Sequence, residues 1–258
     1  MLLTFNIGNR AVTLGFVKDG ELTGTASVSY ATERTADEYA CAVKAILDLR
    51  GIAVTDFDGA IGASVVPSAT ETVRGAIETL LGIRVHMLGA GTKTGLNILI
   101  DDPTQLGGDL VAASVGAIHK YKPPMILVDF GVATTFSVID KNGAFVGCAI
   151  APGISLSCEA LSAGASLLPT IANTAPKKCI GTNTAESMQS GSVLGNASMV
   201  DGMIGRIEEE LGYNTAVIAS GGKLADMIVP YCTRDLVRDD TAVSLGLAEI
   251  YKRNLRRK

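Results

Sequence analysis

Residues 125–147 read MILVDFGVATTFSVIDKNGAFVG, and this stretch predicts the fold. An apolar run that ends at Asp129 meets a glycine turn at Gly131. Two further strand-like runs follow, separated by the Lys-Asn-Gly turn at 141–143. The pattern is typical of three short strands joined by tight turns.

The N-terminal residues 2–24, LLTFNIGNRAVTLGFVKDGELTG, repeat this order without a gap. Gly8 aligns with Gly131, an offset of 131 − 8 = 123. The same offset relates three further pairs, namely Lys18 with Lys141, Gly20 with Gly143 and Gly24 with Gly147. Two copies of one unit predict two similarly folded halves. One aligned position differs in its chemistry, because Asn6 stands opposite the carboxylate of Asp129.

The composition is that of an ordered globular protein. Of 258 residues, 47% are hydrophobic and 19% are charged, so either one large or two smaller domains have enough apolar side chains for a full core. The net charge of −4 argues against a nucleic-acid or anionic-membrane partner. The chain has no apolar run of 18 residues, and Met1 leads straight into a strand, so we expect neither a transmembrane span nor a signal peptide. Five cysteines without a CxxC pair predict buried thiols in a reducing cytoplasm.

The remaining pattern alternates helices with strands and predicts an α/β fold. In the first half we expect three strands over 2–28, a helix at 35–50, a strand at 58–67, a helix at 71–81, a strand at 84–88, a long loop at 89–108, and a helix that begins at Asp109. In the second half we expect helices at 155–165, after 195 and at 242–254, and a strand at 216–222. A hinge at 120–124, KYKPP, divides the predicted N-terminal domain (1–120) from the C-terminal domain (121–258).

Two glycine turns have the residues that a phosphate site needs: exposed backbone N–H groups, small side chains and a nearby cation ligand. The first is Asn6-Ile7-Gly8-Asn9-Arg10, and the second runs from Asp129 to Thr135. The alternative is that both are ordinary β-hairpins, because turns that contain glycine are common. The chain has no GxxxxGK[ST] loop and no GxGxxG at the start of a helix, which excludes a P-loop and a Rossmann nucleotide site.

Asp109 is a third candidate, since it follows two glycines and a long loop at the predicted start of a helix. A carboxylate held in this way is suited to act as a general base for a hydroxyl group. The alternative is that Asp109 only caps the helix.

In these features the chain resembles the type III pantothenate kinases of the acetate and sugar kinase/heat-shock protein 70/actin superfamily. The resemblance covers nearly the whole length. It rests on the order and spacing of the loop at 6–13, SVVP at 64–67, GTKTGL at 91–96, DDPTQLGGD at 101–109, VDFGVATT at 128–135, AIAPGISLS at 149–157, NTAESMQSG at 183–191 and IASGG at 218–222. It implies two ribonuclease-H-like, actin-like domains around a central cleft.

The resemblance also implies a function: ATP-dependent phosphorylation of pantothenate, the first step of coenzyme A biosynthesis, by a cytoplasmic homodimer that uses Mg²⁺ and a monovalent cation, K⁺ or NH₄⁺. It makes Asp109 the catalytic base and Asp129 the ligand of the monovalent cation. The implied ATP contacts are Asn6, Ile7, Gly8, Asn9, Arg10, Ala11, Val12, Thr13, Gly131, Val132, Ala133 and Thr134. The implied pantothenate contacts are Ile100, Gly107, Gly108, Asp109, Leu110 and Thr184.

Four of these positions depart from the family pattern. Asn6 replaces the first Asp of Asp-x-Gly-Asn-Thr, and Leu110 replaces the Arg of Gly-Ala-Asp-Arg. Ile100 stands for a Tyr and Val132 for a Thr. Three interpretations follow: an active pantothenate kinase, a kinase for another small hydroxylated substrate, or a catalytically silent paralogue that binds a ligand or a partner. The first is our prediction, because Asp109, Asp129 and Thr184 are retained, whereas Asn6 and Leu110 favour the silent paralogue.

Overall fold

The computed structural model describes residues 1–255; the last three residues of the predicted C-terminal domain, 256–258, lie outside the described part. The chain packs into two units. The first comprises Met1–Tyr121 and the C-terminal segment that begins at Thr241, and the second is Lys122–Asp240. The predicted boundary at 120/121 lies close to the first division. The predicted assignment of the last helix to the second half differs from this packing.

The first unit is built from strands β1 to β6 and four helices. Their bounds are β1 (Leu2–Ile7), β2 (Ala11–Lys18), β3 (Glu21–Ser29), α1 (Ala36–Leu49), β4 (Gly59–Ser64), α2 (Pro67–Leu81), β5 (Val85–Met87), β6 (Asn97–Ile98), α3 (Gly108–Lys120) and α7 (Ala242–Leu255). Its main sheet has the order β3-β2-β1-β4-β5. β1 runs antiparallel to β2 and parallel to β4.

The helix ends follow from local chemistry. Thr35 caps α1 and forms a capping box with Glu38, which satisfies backbone N–H groups at the helix start. We predicted α2 from residue 71, but it begins one turn earlier at Pro67. Proline suits this first helical position because its fixed φ is already helical and it has no N–H to satisfy. α2 ends at Gly82, which adopts a left-handed φ of 65°.

The second unit repeats the same plan with five strands and three helices. Their bounds are β7 (Met125–Phe130), β8 (Ala133–Ile139), β9 (Ala144–Pro152), α4 (Ile154–Gly164), α5 (Thr184–Leu211), β10 (Ala216–Ser220), α6 (Lys223–Ile228) and β11 (Val237–Arg238). These strands have the order β9-β8-β7-β10-β11. β7 is antiparallel to β8 and parallel to β10, as β1 is to β2 and β4. The prediction of two similarly folded halves is confirmed.

The two copies of the hairpin differ by one residue at the turn. Asn6 pairs with Thr13, whereas Asp129 pairs with Thr135, so the second strands are related by 135 − 13 = 122 and not by 123. The N–H of Gly8 donates to the carbonyl of Ala11, three residues on, while Gly131 donates to Ala133, two residues on. The gapless alignment is therefore wrong within β2, and the next turn restores the offset.

Each unit has its own core. In the first, one face of the sheet packs on α1 and α2 through Leu3, Phe5 and Ile7. The other face packs on α3 and α7 through Leu2, Ile61 and Ala63. In the second unit, Ile126, Val128 and Phe130 pack on α4, α5 and α6.

The prediction for the cysteines is only partly correct. Cys158 is buried and Cys232 is intermediate, but Cys41, Cys148 and Cys179 are exposed. In residues 1–255 no helix is both long and apolar enough to span a bilayer, although α5 has 28 residues.

Candidate active site

In the first unit, the ends of two parallel strands meet the start of a helix. Asn6 of β1 pairs with Ala63 of β4, and Ile7 pairs with Ser64, so both strands end at the same edge of the sheet. α3 begins at this edge, because a Cβ on Gly108 would lie 3.5 Å from the side chain of Ala63. Ligands of open α/β sheets bind at the carboxyl ends of such strands.

Gly107, two residues before Asp109, leaves room for the Asp109 side chain to turn back over the helix start. A Cβ on Gly107 would lie 2.6 Å from Oδ1 of Asp109, so a side chain at 107 would require the carboxylate to move. Gly107 is the N-cap of α3, and Asp109 is the second residue of the helix. Asp109 is therefore not the N-cap residue itself, although its carboxylate accepts the N–H of Leu110 at the helix start.

The carboxyl group of Asp109 is half-buried and has a raised pKa. Burial raises the pKa of this group, while hydrogen bonds from the backbone N–H groups of Leu110 and of Asp109 itself oppose the rise. The Leu110 N–H donates to Oδ1 at 2.8 Å. A carboxylate with a raised pKa is a stronger base than a solvated one, and the hydrogen bond fixes its direction.

The turn at 8–11 stands at the same sheet edge. Asn9 and Arg10 are exposed at its tip, and the carbonyl of Arg10 accepts the N–H of Tyr30 at 2.9 Å. Oδ1 of Asn6 is buried and has no hydrogen-bond partner within residues 1–255. Such an acceptor is unfavourable unless a ligand, a cation or a water molecule satisfies it.

In the second unit, Asp129 lies at the end of β7 beside β10. Its Oδ1 accepts the hydroxyl of Ser220 at 2.6 Å, from the residue opposite it on β10. Thr135 pairs with Asp129 across the hairpin, and its Oγ1 is buried without a partner in the part of the chain that the structure describes. Carboxylate and hydroxyl oxygens are the ligands that hard cations prefer, so this end of β7 fits a cation.

Two other motifs pack against the turn at 131–133. Gly153 donates its N–H to the carbonyl of Val132 at 2.9 Å, and a side chain at 153 would collide with the backbone of Gly131 and Val132. Gly221 has a φ of 122°, and a Cβ there would lie 2.6 Å from the carbonyl oxygen of Phe130. The segments 149–157, 128–135 and 218–222 are thus in direct contact.

The residues that hold the Gly221–Gly222 turn were not predicted from the sequence. Oδ1 of Asp240 accepts both backbone N–H groups, at 2.9 Å from Gly221 and 3.1 Å from Gly222. Arg238 pairs with the Asp240 carboxylate at 3.0 Å and donates to the carbonyl of Gly222 at 3.2 Å. The adjacent RDD at 238–240 was the only available sequence signal, and charge pairs of this kind are common on surfaces.

The structure places the remaining predicted residues in different units. Ile100 and Leu110 are half-buried in the first unit. Thr184 is exposed at the first position of α5 in the second unit, directly after its N-cap Asn183, whose Oδ1 accepts the N–H of Glu186 at 2.9 Å. Within the first unit, the loop at 6–13 and Gly107–Leu110 both belong to the sheet edge formed by β1, β4 and α3.

The sequence is similar over its length to known kinases. A family model described as type III pantothenate kinase matches residues 2–206. The type III pantothenate kinase of Halalkalibacterium halodurans is 38% identical over 255 residues, which is 99% of this chain and 100% of the relative. The type III pantothenate kinase of Acidobacterium capsulatum is 40% identical, over 98% of this chain and 94% of the relative.

Solved structures with low sequence identity share the fold. A putative 2-dehydro-3-deoxygalactonokinase from Sinorhizobium meliloti matches with a TM-score of 0.59 at 12% identity, covering 100% of this chain and 98% of that one. The activator of the 2-hydroxyisocaproyl-CoA dehydratase from Clostridium difficile, with bound ADPNP, matches with a TM-score of 0.57 at 11% identity, with the same coverage. The predicted α/β fold, with two ribonuclease-H-like, actin-like domains, is confirmed.

Proposed function

Because this chain belongs to the type III pantothenate kinase family, we propose that it transfers the γ-phosphoryl group of ATP to the hydroxyl of pantothenate. The product is 4′-phosphopantothenate, and the reaction is the first step of coenzyme A biosynthesis. The observation that carries the proposal is the half-buried Asp109 carboxylate with a raised pKa, fixed at the edge where β1 and β4 end.

Asp109 acts as the general base. It accepts the proton of the pantothenate hydroxyl as the oxygen attacks the phosphoryl group. Phosphoryl transfer depends mostly on positioning and on neutralising charge, and a base on a rigid helix start supplies the positioning. The hydrogen bond from the Leu110 N–H keeps the carboxylate in one direction.

ATP is bound by backbone and small side chains of the two glycine turns. In the first unit these residues are Asn6, Ile7, Gly8, Asn9, Arg10, Ala11, Val12 and Thr13. In the second unit they are Gly131, Val132, Ala133 and Thr134. The unsatisfied Oδ1 of Asn6 supports this role, because a ligand-bound cation or water would satisfy it. Mg²⁺, when bound, neutralises phosphate charge during transfer.

Asp129 holds the monovalent cation, K⁺ or NH₄⁺. The neighbouring hydroxyls of Ser220 and Thr135 support the assignment, because both are oxygen ligands and that of Thr135 is buried without a partner among the residues described. Pantothenate is bound by Ile100, Gly107, Gly108, Asp109, Leu110 and Thr184.

We propose further that the enzyme is a homodimer and that it acts in the cytoplasm.

The test is a coupled ADP-release assay with pantothenate, ATP, Mg²⁺ and K⁺. Asp109→Asn is expected to lower kcat by at least about a hundredfold, the usual contribution of a general base. Asp101→Asn is the matched control, since it neutralises an exposed aspartate in the loop that leads to α3, and its kcat is expected to stay at the wild-type value. Retained turnover in Asp109→Asn would show that another group is the base.

A silent paralogue is the second candidate, favoured by Asn6 and Leu110 at ligand-contacting positions. Its distinguishing result is ATP binding in calorimetry without ADP release, even after Asn6→Asp and Leu110→Arg restore the family residues.

A kinase for another small hydroxylated substrate is the third candidate function. Ile100 and Leu110 make the acceptor pocket more apolar, so ADP release would then require an acceptor less polar than pantothenate.

A further inference from the structure

The C-terminal helix α7 is hydrogen-bonded to the loop at residues 91–98, which precedes the proposed substrate residues. Nδ2 of Asn254 donates to the carbonyl of Lys93 at 3.1 Å, and its Oδ1 accepts the N–H of the same residue at 3.2 Å. Nδ2 also donates to the carbonyl of Ile250 at 2.7 Å, one turn back in the helix. Only a primary amide has the donors and the acceptor for this set, so the three partners fix the orientation of the side chain.

Two further contacts extend the grip along the loop. The guanidinium of Arg253 lies against Gly95, where a Cβ would collide with it, and Gly95 has a left-handed φ of 74°. Leu96 and Ile98 pack on the apolar cluster that includes Leu247 and Ile250 of α7. The helix therefore holds the loop at residues 93, 95, 96 and 98, and Ile100 follows two residues later.

The same helix is fixed to α3, which begins with Gly108 and Asp109. A Cβ on Gly116 would collide with the backbone of Ala242, and one on Gly246 with the backbone of Ala112. The backbones of the two helices are thus in contact, which leaves no room for them to slide. α7 connects the loop that carries Ile100 to the helix that carries Asp109.

We propose that α7 stabilises the loop that binds the acceptor and that Asn254 is the positioning residue of this helix. Asn254 holds residues 91–98 in the conformation that binds the acceptor substrate. Asn254 touches neither the substrate nor the reacting atoms and acts through the loop. The family model ends at residue 206, before this helix begins. The acceptor part rests on the proposed function, whereas the grip on the loop does not.

The first measurement is amide hydrogen exchange on the free enzyme. In Asn254→Ala, peptides that cover residues 91–98 are expected to exchange about tenfold faster, as hydrogen bonds of ordinary strength are lost. Peptides of α3 are expected to keep their wild-type rates. Asn196→Ala is the matched control, because Asn196 makes the same bond to a carbonyl one turn back, that of Ser192, at 2.7 Å. Its Oδ1 has no hydrogen-bond partner among the described residues.

The second measurement is steady-state kinetics. Asn254→Ala is expected to raise the KM for pantothenate about tenfold and to leave the KM for ATP and kcat near wild type; Asn196→Ala is expected to change none of them. Arg253→Ala, which removes the guanidinium that lies against Gly95, is expected to give the same pattern and serves if Asn254→Ala folds poorly. A parallel rise in both KM values, or a fall in kcat alone, would overturn the positioning role.

The outcomes separate the two proposals. If amide hydrogen exchange in residues 91–98 is unchanged in Asn254→Ala, then Asn254 does not hold the loop, whatever the activity. Faster exchange with an unchanged pantothenate KM overturns the role in acceptor binding. If the wild-type protein does not turn over pantothenate at all, the proposed function falls and the acceptor role falls with it, while the exchange rates still decide whether Asn254 holds the loop.

Discussion

At the scale of single residues, the site contains groups that are unfavourable to the fold. Asp109 is a half-buried carboxylate with a raised pKa, and Asn6 has a buried oxygen that finds no partner in the described residues 1–255. Each lowers the stability of the free protein, because a buried charge or an unsatisfied acceptor has lost its hydration. Such groups are typical of sites where a ligand or a reaction uses them.

The raised pKa of Asp109 predicts the direction in which the stability of the fold changes with pH. Because its folded pKa lies above its unfolded value, the ionised carboxylate destabilises the fold at pH values above the folded pKa, and protonation removes the penalty at low pH. Asp109→Asn is always neutral. We expect its Tm at pH 7 to exceed that of the wild type by about 2–4 °C, the shift that about 1 kcal/mol gives in a chain of this size.

The difference in Tm is expected to shrink as the pH falls through the folded pKa of Asp109. Over the same range, kcat/KM of the wild type should fall, because the protonated carboxyl cannot accept the substrate proton. Thermal scans and a pH–rate profile check both halves. A Tm difference that stays constant between about pH 4 and about pH 8 would contradict the charge argument. This range begins near the ordinary Asp pKa of about 3.9 and extends above it.

At the scale of elements, the turn after β10 shows how one side chain shapes a site. Asp240 accepts both N–H groups of Gly221 and Gly222, and Gly221 packs on Phe130 next to the glycine turn at 131–133. Burial raises the pKa of the Asp240 carboxyl, but the two backbone donors and Arg238 outweigh burial and leave the pKa below its usual value.

We therefore expect Asp240→Ala to raise the KM for ATP about five- to tenfold, as two charge-assisted hydrogen bonds are lost and the support of the 131–133 turn weakens. Asp226→Ala is the control, because it removes the other carboxylate that pairs with Arg238 and leaves the glycine turn bonded. Since the pKa is depressed, this stabilisation is present above the unfolded pKa of Asp240 and is lost as the pH falls through the folded pKa. The Tm difference between wild type and Asp240→Ala should vanish there; a difference that persists would contradict the assignment.

The elements that the sequence predicted correctly are those with strong local signals. Apolar periodicity and glycine or proline punctuation indicate β1, β7, α1 and α7 because these signals act over a few residues. The one-residue difference between the two hairpin turns was not predictable, because the following turn compensates for it. The bonds from Asp240 to Gly221 and from Asn254 to Lys93 join residues that are 19 and 161 apart, and no local pattern encodes them.

At the scale of the whole molecule, the repeat predicts two like sheets but not which sheet the last helix joins. The helix pattern at 242–254 fits either half equally well. What decides is complementary packing: Gly116 and Gly246 let α3 and α7 approach until their backbones touch, and both helices cover the same face of the first sheet. Small residues at a helix contact allow this closeness in any fold, so their meaning appears only when both partners are known.

A substitution that adds one methyl group to α7 tests whether this helix belongs to the first unit. Gly246→Ala places a Cβ against the backbone of Ala112, and overpacking of this kind costs about 1–3 kcal/mol. We expect faster hydrogen exchange in α3 and β4 of the first unit and unchanged exchange in β7 and β8 of the second. Gly205→Ala on α5 is the control: a Cβ there has open space, so the change should be neutral or stabilising by about 0.5–1 kcal/mol. If Gly246→Ala accelerated exchange in β7 and β8 but not in α3 and β4, the last helix would belong with the second half, as the division at 120/121 predicts.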